Sequence, residues 1–421
     1  MSTVDSAQTI AGISTRKTLH LRALEWLNFF IADVQTGMGP FLAAYLASSG
    51  WKPGSVGYAL TFGGLVTVAL QLPAGASIDA SHSKRGLLAG TVAALTVGAL
   101  ILALHTSVAS VGVAQFLIGG AGAFIGPLLA AITLGMVGKQ AFDRQFGRNQ
   151  AFNSAGNVFA ALLLAAVSYR LGNRSIFFAA ALLAVPAIFS LFRIDGSAID
   201  YRRARGSDKV GTQQSSNSAE RIRELFRDRC LVVFLGCAFL FHLANAAMLP
   251  EPGEMLSKGR RTAVPFMSAC IIVTQLVIAV SAAWIGKAAS RLGRKPLLLA
   301  GFGVLPVRGV LYTLTHYAPA LIGIQLLDGV ANAVFGVVSI LVIADCTRGS
   351  GRFNLAQGAL AAMVGIGAAS SNTVGGQLVQ HLSFRASFLG LAAIAAVATG
   401  LLVLAFPETL REGNRAEPGA F

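Results

Sequence analysis

FFIADVQTGMGP, Phe29 to Pro40, returns 210 residues later as FLFHLANAAMLP, Phe239 to Pro250. Phe29, Met38 and Pro40 meet Phe239, Met248 and Pro250, and Gln35 meets Asn245. The same shift lays QFLIGGAGAFIG, Gln115 to Gly126, on QLLDGVANAVFG, Gln325 to Gly336, with six identities. A shift of 211 puts Gly75 on Gly286, Lys84 on Lys295 and Gly90 on Gly301. Matches at nearly one offset, in register with the apolar runs, read as an internal duplication.

The duplicated segments sit in a chain poorly suited to water. Of its 421 residues 54% are hydrophobic and 12% charged, whereas a soluble domain carries about 25% charged residues. A spanning helix needs about 20 mostly apolar residues. Such runs fall at roughly 23–47, 54–78, 87–105, 108–137, 150–171 and 175–194. After a polar stretch they resume at roughly 230–250, 263–286, 296–315, 318–345, 354–380 and 384–406. The expected fold class is an all-α membrane protein of twelve transmembrane helices in two pseudo-symmetric six-helix bundles. Its expected segments are an N-tail 1–22, a bundle 23–194, a linker 195–229, a bundle 230–406 and a C-tail 407–421. Residues 1–20 are polar and show no short apolar core before a cleavage site, so the first run reads as a retained span.

The net charge of +15 suggests nucleic acid in a soluble protein. In so apolar a chain it marks cytoplasmic loops instead, because loop cations orient insertion. With both termini cytoplasmic, 25 of the 33 Lys and Arg residues fall inside and seven outside, leaving Arg308 within a span. The expected location is therefore a bacterial inner membrane, crossed many times, with both tails in the cytoplasm. The middle of the linker, GSDKVGTQQSSNS, is too polar to order itself. Its end, NSAERIRELFRDR, has Asn217 as a helix cap and Glu220 at the third helical position.

GASIDASHSKRG, Gly75 to Gly86, and GKAASRLGRKP, Gly286 to Pro296, connect spans 2–3 and 8–9. The pair resembles the loop motif of the major facilitator superfamily, roughly G-x-L-a-D-r-x-G-r-k, and the chain resembles that family over nearly its whole length. The first copy keeps Gly75, Asp79 and Lys84, with Arg85 beyond, but has His82 at the inner glycine. The second keeps Gly286, Arg291, Gly293, Arg294 and Lys295, but has Ser290 at the acid. The resemblance implies a gating role for Asp79, Lys84, Arg85, Arg291, Arg294 and Lys295. Any latch built on the acid is one-sided, through Asp79. The alternative for Asp79 is an interfacial acid that caps a helix or pairs with Arg85. The resemblance also implies a cavity lined by helices 1, 4, 7 and 10.

Ionisable residues inside spans are costly and are functional candidates by default. Asp33, near the middle of span 1, is the clearest, and its repeat equivalent is Leu243. Asp328 and His242 join it as candidate proton-coupling residues. Arg308 and Asp328 read as a buried ion pair, since a lone charge there is expensive. His242 and Asn245 are three apart on one helical face. Candidate substrate contacts are Asn28, Phe29, Asp33, Gln35, Gln115, His242, Asn245, Gln325 and Asn332. Asn157, Gln357 and Asn372 are lesser candidates. Family drug–proton antiporters carry an arginine where Gln115 stands, and a Gly-Pro element in helix 5. Here Gly126-Pro127 lies in helix 4.

No GxxxxGK[ST], HExxH or GxSxG occurs, so neither ATP-driven transport nor enzymatic catalysis is expected. Cys230, Cys237, Cys270 and Cys346 form no CxxC and read as small apolar fillers. Neither a metal site nor a cofactor is expected. The expected partners are a small-molecule substrate, the lipid bilayer and protons, with no nucleic acid and a monomeric protein. The expected function is secondary active transport by alternating access, as proton-coupled export. The alternatives are uptake or facilitated diffusion of a small organic solute or metal ion, and, ranked lower, a membrane receptor without transport.

Overall fold

The computed structural model describes residues 18–32, 38–204, 227–256, 263–347 and 353–410. Among them every regular element is helical. In chain order these are α1 (18–32), α2 (Met38–Ser48), α3 (Pro53–Ala80), α4 (Lys84–Leu104), α5 (Val108–Val137), α6 (Lys139–Leu171), α7 (Ser175–Phe192) and the short α8 (Tyr201–Ala204). Then follow α9 (Arg229–Asn245), α10 (Pro250–Leu256), α11 (Ala263–Leu292), α12 (Arg294–Tyr312), α13 (Ala318–Cys346), α14 (Phe353–His381) and α15 (Phe384–Ala405).

Among the described residues, ten helical stretches are long and apolar enough to cross a membrane. α14 is 29 residues long but is diluted by Ser370, Ser371, Asn372 and Thr373. α1 and α2 fall where the first span is expected, and the described helices agree with a fold of twelve membrane helices.

Two helices are longer than apolarity alone indicates. α6 begins at Lys139, well before the apolar run at 150, because KQAFDRQFGRN is polar yet free of helix breakers except Gly147. The seventh span continues past Asn245 through a 3₁₀ turn, Ala246–Met248, into α10. Pro250 causes the break: it has no N–H to give and crowds the preceding turn. The amide of Ala247 is satisfied by the Ser371 hydroxyl at 2.9 Å.

The contacts divide the chain into two compact units, residues 1–38 with 69–212, and 39–68 with 213–421. The core of the first joins Leu24, Leu27 and Ile31 to Leu88 and Leu95 of α4, Leu128 and Ile132 of α5, and Leu191 of α7. The core of the second joins Phe234 and Phe241 of α9 to Phe302 of α12, Val338 and Val342 of α13, and Leu402 of α15.

In the second unit the first part of α3 lies directly on α14. A Cβ at Gly57 would run into the carbonyl oxygen of Asn372, and one at Gly376 into Pro53. Small residues permit this approach, and polar groups then bridge it. Thr61 Oγ1 donates to Ala369 O at 2.6 Å, Thr373 Oγ1 donates to Thr61 Oγ1 at 2.7 Å, and the Gly54 amide donates to Gln380 Oε1 at 3.1 Å.

Candidate functional site

The second unit encloses a charged network. Arg308 on α12 is wholly buried, and its Nη1 lies 2.7 Å from Asp328 Oδ1 on α13. Nη1 also donates to Asn245 Oδ1. Nη2 donates to Gln325 Oε1 at 3.2 Å and Met248 O at 3.3 Å. Nε reaches the Tyr312 hydroxyl at 3.4 Å. Asp328 accepts from Thr274 Oγ1 at 3.2 Å and from Asn332 Nδ2 at 3.0 Å. The helix break at Ala246 frees the Met248 carbonyl that Arg308 uses. Asn245, Gln325 and Asp328 thus converge on the Arg308 guanidinium, and Asn332 on Asp328.

His242 stands apart from this network although Asn245 is one helical turn away. Its ring packs edge-on to Phe335 at 4.8 Å and to Phe241 at 5.1 Å. Its Nε2 has no hydrogen-bond partner among the described residues. The two do not share contacts: His242 packs on Phe241 and Phe335, whereas Asn245 accepts from Arg308.

In the first unit α1 faces α6 through a ladder of amides. Gln145, Asn149, Asn153 and Asn157 recur at every fourth residue and are all at most 8% exposed. Gln145 Nε2 donates to Glu25 Oε1 at 3.1 Å and to Asn149 Oδ1 at 3.1 Å. Asn149 donates to Thr133 at 2.9 Å. Arg148 Nε pairs with Glu25 at 2.9 Å. Asn28 turns its amide to Leu24 O at 2.8 Å and receives Asn153 Nδ2 at its carbonyl, 3.4 Å. Phe29 packs on Trp26, Phe30 and Phe159. Gln115 is buried. Asp33 and Gln35 lie outside the described residues.

The two loop copies differ in detail. Lys84 is fully buried and its Nζ donates to Ile78 O at 2.6 Å, so it caps the end of α3 and does not reach a lipid surface. Arg85 lies over the Phe192 ring at 5.7 Å. Asp79 is exposed. Gly75 lies inside α3 with open space around it, so the turn does not need it. In the second copy Gly293, at φ 105°, makes the turn, a conformation that favours glycine. Arg291 is exposed. Arg294 donates to Ala289 O, capping α11 as Lys84 caps α3, and pairs with Asp345 at 3.1 Å. Lys295 Nζ donates to Val403 O at 2.9 Å.

Glu408 supplies the acid that Ser290 does not. It accepts from the Arg294 and Lys295 amides at 2.9 and 3.0 Å, capping α12. Burial alone would raise its carboxyl, but the amides of Leu410, Arg294, Lys295 and Thr409 outweigh this and hold it below the ordinary carboxylate value. The short segment before α8 has a similar device. Asp195 accepts from the Ser197 amide at 3.1 Å, and that bond holds it low.

Three buried acids escaped the sequence reading. Glu25 opens an apolar run and was masked by the stronger signal of Asp33. Glu251 and Glu254, 2% and 8% exposed, fall just beyond the expected end of span 7. The signal was PEPGE itself: two acids beside a pair of prolines at the end of an apolar helix. The cysteines also divide. Cys237 and Cys270 are buried, as fillers should be, but Cys230 and Cys346 place their sulfurs 3.0 Å apart.

The sequence profile of the Major Facilitator Superfamily matches residues 26–273 and 237–420. An uncharacterized MFS-type transporter of Mycobacterium tuberculosis is 40% identical over 391 residues, 92% of this chain and 93% of the relative. The tetracenomycin C resistance and export protein of Streptomyces glaucescens is 31% identical over 134 residues, covering 31% of this chain and 24% of that one. Among solved structures, the nucleoside transporter NupG superposes with a TM-score of 0.74 at 15% identity, over 92% of this chain and 98% of that one. A bacterial homolog of the human lysosomal transporter Spinster gives 0.72 at 13% identity, over 96% and 99%. These last two likenesses concern the fold. Its helices, its profile match and its long relative together establish the chain as a multi-pass membrane transporter of the Major Facilitator Superfamily.

Proposed function

We propose that this transporter exports a small solute in exchange for protons, by alternating access, as a monomer in a bacterial inner membrane with both tails in the cytoplasm. The observation that carries the reading is the buried Arg308–Asp328 pair. Charge in the membrane interior is costly and usually serves an ion or substrate pathway. Asp33, an acid without a counterpart in the repeat, supports it, as does the surplus of cations on one side. Export is supported by the Streptomyces relative, a resistance and export protein. In this reading the bundles 23–194 and 230–406 alternate about a site fed by Asp33, Gln35, Asn28, Phe29, Gln115, Asn245, Gln325 and Asn332. Asp33, Asp328 and His242 exchange protons there, and the loop residues Asp79, Lys84, Arg85, Arg291, Arg294 and Lys295 gate it. The helix 1 acid favours a cationic or protonatable solute.

The test begins with a thermal-shift screen of the purified protein, since a ligand that binds the native state raises its stability. Flux of the hit is then measured in proteoliposomes under an imposed pH gradient. Export that follows the gradient and is lost in Asp33→Asn agrees with the proposal. Flux that ignores the gradient and is unchanged in Asp33→Asn overturns the coupling.

A further inference from the structure

Glu251 lies on α10, immediately after the proline that breaks the seventh span. Its Oε1 is 2.7 Å from the hydroxyl of Ser387 on α15. The same hydroxyl is 3.3 Å from the carbonyl oxygen of Gly375 on α14. Its Oε2 is buried and has no partner among the described residues. The place is built to hold this carboxyl closely: a Cβ at Gly375 would run into Oε1, and would lie 2.8 Å from Ala247 Cβ.

Among the described residues no cation pairs with Glu251, and a second acid, Glu254, stands three residues on in the same helix. α14 presents Gly375, and α15 presents Ser387. A buried carboxylate with neither a cation nor a full set of donors is among the most expensive arrangements in a protein.

Counting hydrogens resolves this. Ser387 has one hydroxyl hydrogen. With an ionised carboxylate, that single hydrogen faces both Oε1 and Gly375 O, and a second acid stands nearby. With a proton on Oε1, Glu251 donates to Ser387 and Ser387 donates to Gly375 O. The two short contacts then form one ordered chain, and no charge is buried.

We infer that the Glu251 carboxyl is a proton-binding site, which holds its proton while α10 is packed on α14 and α15 and releases it when that packing opens. Its use in coupling rests on the proton-coupled reading above; its occupancy does not.

Infrared difference spectroscopy of the purified full-length protein at neutral pH tests the occupancy. A protonated buried carboxyl shows a C=O stretch distinct from that of a carboxylate. The band is expected in the wild type, absent in Glu251→Gln and shifted in Ser387→Ala, which breaks the chain but keeps the acid. A band that survives in Glu251→Gln, or disappears only in Glu254→Gln, overturns the inference. So does a band that stays in place in Ser387→Ala, which serves if Glu251→Gln does not fold. Should the band behave as expected while proteoliposome flux ignores the pH gradient, the coupling reading fails and the proton site stands.

Discussion

Arg308 and Asp328 are joined side chain to side chain at 2.7 Å, the arginine wholly buried and the aspartate 4% exposed. Every donor direction of the guanidinium is used, by Asp328, Asn245, Gln325, Met248 and Tyr312. Removing either partner leaves an uncompensated charge. Asp328→Asn and Arg308→Gln are each expected to destabilise the second unit by about 3–5 kcal/mol. The double variant Arg308→Gln/Asp328→Asn is expected to lose less than the two losses combined, because it buries no charge. Thermal unfolding midpoints of the four proteins in detergent check this; simple additivity would mean the pair is not coupled.

Glu408 ties the chain after α15 to the start of α12. Its carboxyl is held low in the folded protein, so the sign of its contribution is set. The stabilisation is complete above the ordinary carboxylate value and is lost as pH falls through the lower folded value. Glu408→Ala is expected to cost about 0.5–2 kcal/mol at neutral pH, as other lost helix caps do. The difference between variant and wild type is expected to vanish in acid. A pH series of unfolding midpoints reads both.

The approach of α3 to α14 depends on the absence of side chains at Gly57 and Gly376. A methyl group at Gly57 meets the backbone of Asn372, which cannot rotate away. Gly57→Ala is expected to destabilise by about 1–3 kcal/mol, the usual cost of overpacking. Gly75→Ala, where nothing lies within 4 Å, is expected to be harmless. Comparing the two by thermal unfolding separates packing from any general intolerance of glycine replacement.

Cys230 opens α9 and Cys346 closes α13, with sulfurs 3.0 Å apart. A hydroperoxide is expected to oxidise the two thiols to a disulfide, itself reduced to an alcohol and water. Intact mass should fall by two hydrogens, and a thiol reductant should restore it. Cys230→Ser abolishes the change; Cys237→Ser, at a buried site, does not.

Composition and periodicity determined the solvent, the number of spans and the duplication, because a bilayer demands long apolar helices whatever surrounds them. The Arg308–Asp328 pairing was also legible, since two opposite charges in neighbouring spans have no cheaper partner. What only tertiary structure decided was how polar groups are satisfied. Sequence placed Lys84 and Arg294 in loops, but folding turns them back onto the carbonyls that end α3 and α11. It showed Ser290 where an acid was expected, while Glu408 arrives from the far end of the chain. It ended span 7 at Pro250, although the helix resumes and carries Glu251 into the protein. Hydropathy sums residues along the chain, whereas a buried polar atom is settled by whichever donor or acceptor lies across the helix interface.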